Sequence, residues 1–176
     1  LVENIYALLR GKKIRFFYDK NQNLFFAEEN GIRKYSPEKN RFFLIYRDGI
    51  QSRGEFIFNS YRLNRIKFNK NDLVIDCGAN TGDLFIELKK FIKPLNYIAL
   101  EPNPPDYKAL TLNCKDSFLL KKGLGKNNIK KNFFSSISSA DSSLIKPKYF
   151  DKIIKIEVIK FDDLIKELNI KKVKLL

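Results

Sequence analysis

The chain has 176 residues, 34 Lys and Arg against 20 Asp and Glu, a net charge of +14, two Cys, and no His, Met or Trp. Without His it carries no Ser-His-Asp or Cys-His nucleophile system, no HExxH metalloprotease site and no zinc deaminase centre. The two cysteines, Cys77 and Cys114, lie far apart in sequence, which is neither a zinc-knuckle spacing nor a disulfide framework and suits a reducing compartment.

Residues 1–50 read as a β-rich lead-in, too short to bury a core of its own. Within it, 14–18 and 24–27 are predicted strands around the polar turn Asp19-Lys20-Asn21-Gln22-Asn23. Asn30-Gly31 is a hairpin signal with a further strand at 32–35, and 41–47 is another strand candidate. Residues 51–66 carry apolar positions three to five apart and predict a helix. The chain then alternates. DLVIDC (72–77) is a continuous apolar strand ending in an acid, and GDLFIELKKFI (82–92) is a helix stopped by Lys93-Pro94. NYIALE (96–101) is a second such strand, 104–113 a helix with proline at its start, and 117–122 a third strand. A long Gly-, Asn-, Ser- and Lys-rich insert covers 123–150, with a possible strand at 129–134. Strand 153–159, helix 161–168 with Asp162 and Asp163 in its first turn, and the start of another strand at 172–176 complete the pattern. Apolar strands alternating with helices imply an α/β fold whose mainly parallel sheet is covered on both faces.

The chemistry-bearing segment is VIDCGANTGD, 74–83. A buried strand ends at Asp76, and a turn with Gly78 and Gly82 leads into a helix, so a ligand would sit at the strand ends beside the helix start. Nineteen residues after Gly82 the next strand ends in Glu101, an acid able to accept both hydroxyls of an adenosine ribose. Nicotinamide and S-adenosylmethionine folds share that acid. The glycine pattern separates them: a dinucleotide fingerprint needs G-x-G-x-x-G, whereas this chain has D-x-G-x-x-x-G, which resembles motif I of S-adenosylmethionine-dependent methyltransferases.

VIDCGANTGD followed by NYIALEPNP resembles the FkbM family of methyltransferases, in which an I-D-x-G-A-N-x-G turn is paired with an E-P-N-P strand end. SSADSSLIKP (138–147) and VIKFDDLIKEL (158–168) are similar to further family segments, the second with Lys160 and Phe161 where Thr and Leu are usual. The likeness covers about 61–176. It implies a Rossmann-like three-layer αβα fold for 51–176, S-adenosylmethionine as cofactor, and O-methylation of a hydroxyl on a sugar, glycan or secondary metabolite. Asp76, Gly78, Ala79, Asn80, Thr81 and Gly82 would line the methionine end and ribose, Glu101 would hold the ribose hydroxyls, and Pro102 and Asn103 would shape the adenine side. Asp141 and Ser142 are candidates for the cofactor or acceptor pocket. The family continues with a segment like L-K-I-D-V-E-G-A-E at the point where this chain stops, at Lys174-Leu175-Leu176. The sheet is therefore expected to be incomplete after its fourth core strand. With no Met at the start either, both ends are expected to be cut and this chain to be inactive or poorly active. No catalytic base is assigned.

The +14 charge suits an anionic partner, but Lys is spread along the chain with abundant Asn, Ile and Phe, a mixture that coding bias also produces. The clusters Lys121-Lys122 to Lys130-Lys131 and Lys171 to Lys174 are short and interrupted. A basic RNA methyltransferase, a nicotinamide-dependent oxidoreductase and a non-catalytic binder of nucleic acid or another polyanion are the competing readings. Asn103-Pro104-Pro105-Asp106 imitates the N-P-P-Y of adenine-N6 methyltransferases, yet follows the wrong strand and lacks the aromatic residue. Cys77 is expected to be a small buried residue at a strand end, with no nucleophilic role. No apolar run approaches the ~20 residues of a membrane span and no signal peptide is evident, so the expectation is a soluble cytoplasmic protein.

Overall fold

The structure is a computed structural model and describes residues 2–136 and 142–176. It is α/β, with three small sheets and six α-helices among the described residues. None of these helices is long and apolar enough to cross a membrane.

The N-terminal part opens with helix α1 (Val2–Leu9), then strands β1 (Arg15–Asp19), β2 (Leu24–Glu29) and β3 (Ile32–Ser36), which form an antiparallel meander. Asn30 and Gly31 both take positive φ, 51° and 78°, as the tight β2–β3 hairpin requires. Both edges of the meander are closed by asparagine amides. Asn4 of α1 accepts from Phe16 N (2.6 Å) and donates to Phe16 O (3.0 Å). Asn113 does the same for Tyr35, at 2.7 and 2.9 Å. Each amide satisfies the outward N–H and C=O of one edge residue, as a neighbouring strand would.

Residues 1–50 thus hold about as much helix as strand, and two expectations are corrected. The first residues form α1, and 41–47 lies in a helix, α2 (Lys39–Tyr46). A run such as Phe-Phe-Leu-Ile-Tyr has no period of its own. The Glu38 carboxylate settles the matter by accepting from Asn40 N and Arg41 N (3.0 and 2.5 Å), which caps a helix, and the helix then buries Phe42 and Tyr46 one turn apart. Helix α3 (Ile50–Ser60) follows, then a single 3-10 turn at Leu63–Arg65.

The central sheet is parallel: β4 (Val74–Cys77), β5 (Tyr97–Leu100) and β6 (Phe118–Leu120), in that order. Leu175 makes a parallel bridge to Val74, on the side of β4 away from β5. Helices α4 (Asp83–Leu88) and α5 (Pro104–Asn113) connect the strands. Alternation along the strands splits the core into two layers. Val74, Tyr97 and Ala99 pack with Phe58 of α3, Phe85 and Leu88 of α4, and Leu110 of α5. Ile75, Ile98 and Leu100 pack on the other face with Leu164 of helix α6 (Phe161–Glu167). Beyond lies a third sheet, in which β7 (Gly123–Gly125) runs parallel and β8 (Ile129–Ser135) antiparallel to the long strand β9 (Lys152–Lys160). The N-terminal core of Ala7, Ile14, Phe42, Tyr46 and Ile50 includes Ile86 of α4, so it is continuous with the rest.

Candidate functional site

Strand β4 ends at a five-residue turn, 78–82. Gly78 and Gly82 both have φ +83° and Asn80 has +50°. The turn is stapled to the neighbouring strand, because Gly78 N and Ala79 N both donate to Leu100 O, at 2.8 and 3.0 Å. The two glycines do different work. A Cβ at Gly82 would lie 2.4 Å from Cys114 Sγ and 2.9 Å from Leu110 Cδ1, so this glycine lets α4 and α5 approach. A Cβ at Gly78 would meet nothing within 4 Å, because the space above it is open.

That space belongs to a cleft of about 520 Å³ at the carboxyl ends of β4 and β5, lined in part by Asp76, Gly78, Ala79, Asn80, Glu101 and Pro102. Six of the nine residues expected at the cofactor therefore share one cavity. The other three do not line it. Thr81 is buried; its carbonyl accepts from Lys34 Nζ (2.7 Å) and Asn113 Nδ2 (2.8 Å), and its hydroxyl lies 3.2 Å from Asp83 Oδ1. Gly82 makes the packing contact just described. Asn103 is fully buried and donates to Asp106 Oδ2 (2.5 Å). Ser142 lines the cleft, its hydroxyl paired with the backbone of Ser136. Asp141 lies outside the described residues.

Glu101 is the hinge of the site. It is 5% exposed, and its two oxygens accept from two different loops: Oε2 from Asn80 N and Oε1 from Asn103 N, both at 2.8 Å. Burial pushes its carboxyl up to about 7; the two backbone donors oppose the shift, and the nearby acids Asp106 and Asp76 add to it. Asp76 accepts from the Tyr97 hydroxyl and is also raised, chiefly by burial. Cys77 is exposed, against expectation. Desolvation by its surroundings and then the Asp76 charge push its thiol up to about 11, so it is no thiolate nucleophile at neutral pH.

Sequence reasoning missed the wall that the N-terminal helices build. Arg41 and Ile45 of α2 and Arg53 and Ile57 of α3 line the same cleft. Arg41 Nη2 lies 3.4 Å from Asn80 Oδ1 and 3.9 Å from Asp106 Oδ1. Asp83, the first residue of α4, gathers three N-terminal groups: Arg53 Nε at 2.8 Å, Lys34 Nζ at 3.3 Å, and the Tyr46 hydroxyl. Burial alone would raise Asp83, but these partners outweigh it and hold the carboxyl at about 2. The one local hint is Asp83, an acid directly after the glycine turn.

The cleft counts four carboxylates (Asp76, Asp83, Glu101 and Asp106) against two guanidinium groups, although the whole chain is at +14. Among the described residues no group of His, Cys, Asp and Glu has the makings of a metal site. Comparison of the chain with family models, curated proteins and solved structures finds no match.

Proposed function

We propose that this chain is a Rossmann-like, FkbM-type S-adenosylmethionine-dependent methyltransferase acting on a hydroxyl of a sugar, glycan or secondary metabolite. The observation that carries the reading is the Glu101 carboxylate at the end of β5, bonded to the Gly78–Gly82 turn at the end of β4, inside one cleft. Each Glu101 oxygen accepts one backbone N–H and keeps acceptor capacity for a ribose hydroxyl. The room a Cβ would take above Gly78 suits a ligand lying against the backbone. Strand order supports the same reading: with the Leu175 segment on one side of β4 and β5 on the other, the order reverses at β4, where α/β sheets hold nucleotides.

Charge discriminates further. The cofactor brings a sulfonium, an ammonium and one carboxylate, a net positive charge that suits a cleft whose four acids outnumber its two guanidinium groups, whereas a polyanion entering it would meet the wrong sign. Bound there, S-adenosylmethionine would supply an electrophilic methyl group. The chain's part is to fix the ribose on Glu101 and to align the cofactor, and such positioning supplies on the order of 7–11 kcal/mol at best. The acceptor class rests on the family resemblance.

Calorimetry with S-adenosylhomocysteine tests the reading. Binding is expected, with a loss of about 10- to 100-fold in Glu101→Ala, the range for hydrogen bonds to a charged group. An unchanged affinity in the variant refutes the ribose assignment. Binding of NAD in place of S-adenosylhomocysteine would move the chain to the oxidoreductases. Polynucleotide binding that falls steeply with salt, with no nucleoside bound, would make it a binding protein.

A further inference from the structure

We infer that Arg53 binds the carboxylate of the cofactor's amino-acid arm, so that a helix of the N-terminal part reads the end of the ligand farthest from the ribose. This rests on the cofactor reading above and deepens it.

Arg53 lines the cleft with its side chain 21% exposed. It spends Nε on Asp83 Oδ2 at 2.8 Å, and its guanidinium makes no other hydrogen bond among the described residues. One face of its plane lies over the Phe56 ring, 5.8 Å from the centroid. A guanidinium has five N–H donors in a rigid fork suited to a carboxylate, and here the fork is clamped by its Nε corner while both Nη groups are unspent. Asp83 stays ionised at neutral pH because Lys34 and Arg53 outweigh its burial, so the clamp holds under working conditions.

The other cations of the region are committed elsewhere. Lys34 is 3% exposed and bonded to Thr81 O and Asp83. Arg41 stands over Asn80 and Asp106, and Asp106 is bonded to Asn103, which is itself bonded to Glu101. That places Arg41 on the adenosine side. Arg53, tied to the first residue of α4, stands on the side of β4 and α4, where the arm must run once the ribose is on Glu101. The arm ends in one ammonium and one carboxylate. Asp76 suits the ammonium; a fork of N–H donors suits the carboxylate, and among the described residues Arg53 presents one on this side of the cleft.

The test is calorimetry of the whole chain with S-adenosylmethionine and with its decarboxylated form, which lacks that one group. Wild type is expected to bind the complete cofactor about 10- to 100-fold more tightly, as a charge-assisted pair implies. Arg53→Met is expected to abolish the preference, and Arg53→Lys to restore part of it. Equal affinities in wild type, a comparison that needs no variant to fold, overturn the inference while leaving the cofactor reading intact. A preference that persists in Arg53→Met also overturns it. If wild type binds neither nucleoside, the cofactor reading itself falls and takes the inference with it.

Discussion

Removing the Glu101 carboxylate is expected to change how stability depends on pH, with a sign opposite to that of most carboxylates. Glu101 is raised from 4.5 to about 7 by burial and by its acidic neighbours. Between those values the folded chain binds a proton that the unfolded chain has released, so stability falls as pH rises. Its contribution is complete below about pH 4.5 and is lost as pH rises through about 7. The full gap corresponds to about 3 kcal/mol, of which about 2 kcal/mol falls between pH 5 and 7.5. Glu101→Ala removes this slope. It also strands the Asn80 and Asn103 amides, a cost of about 1–3 kcal/mol each that does not depend on pH. Asp76 and Asp106 are raised too, but they remain in both proteins and largely cancel in the difference. Urea denaturation of wild type and variant at several pH values gives the two profiles. The variant's deficit is expected to shrink by about 2 kcal/mol between pH 5 and 7.5, because only wild type loses the Glu101 contribution. Parallel profiles would show that Glu101 titrates normally and that its burial does not perturb it.

The two glycines of the turn are expected to separate stability from binding. Gly82→Ala combines a left-handed backbone with overlap on Cys114 and Leu110 and is expected to cost about 2–5 kcal/mol by denaturation. Gly78→Ala meets only the backbone term, about 1–2 kcal/mol, yet puts a methyl group into the cleft and is expected to weaken S-adenosylhomocysteine by calorimetry; equal stability losses would contradict the geometry. Asp83→Asn leaves Lys34 and Arg53 without their shared counter-charge, and the loss should approach the 3–5 kcal/mol typical of a broken buried pair. A drop in stability below about 1 kcal/mol would mean that Asp83 does not fasten the N-terminal part to the turn.

The parts of the fold that were legible are those whose signals are local. VIDC and YIAL are short apolar runs bounded by turn residues, and Pro104 marks a helix start whatever surrounds it. Helix α2 was not legible because its apolar run suits either period, and the Glu38 cap decides it through geometry that composition does not encode. The site divides in the same way. Gly78, Asn80 and Glu101 come from two strand ends that the alternating pattern had already set side by side. Arg41 and Arg53 reach the cleft only because α2 and α3 dock on α4, through contacts that no spacing in the sequence announces. Thr81, Gly82 and Asn103 show the converse limit: a motif marks residues that build a site as readily as residues that touch its ligand.

The same distinction bears on charge. Net charge is a sum over the whole chain, and part of the excess lies on β8 and β9, where Lys130, Lys131, Lys152 and Lys155 are exposed. The cleft is lined by its own acids, with the ion cluster at Asp83 on one side. Exposed lysines act over roughly a Debye length, about 8 Å at physiological salt, whereas partners inside a cleft act at contact. A polyanion attracted to β8 and β9 would therefore gain no foothold among Asp76, Asp83, Glu101 and Asp106. The basic composition and the acidic cleft are compatible because the strand lysines and the cleft acids would act on different ligands at different distances.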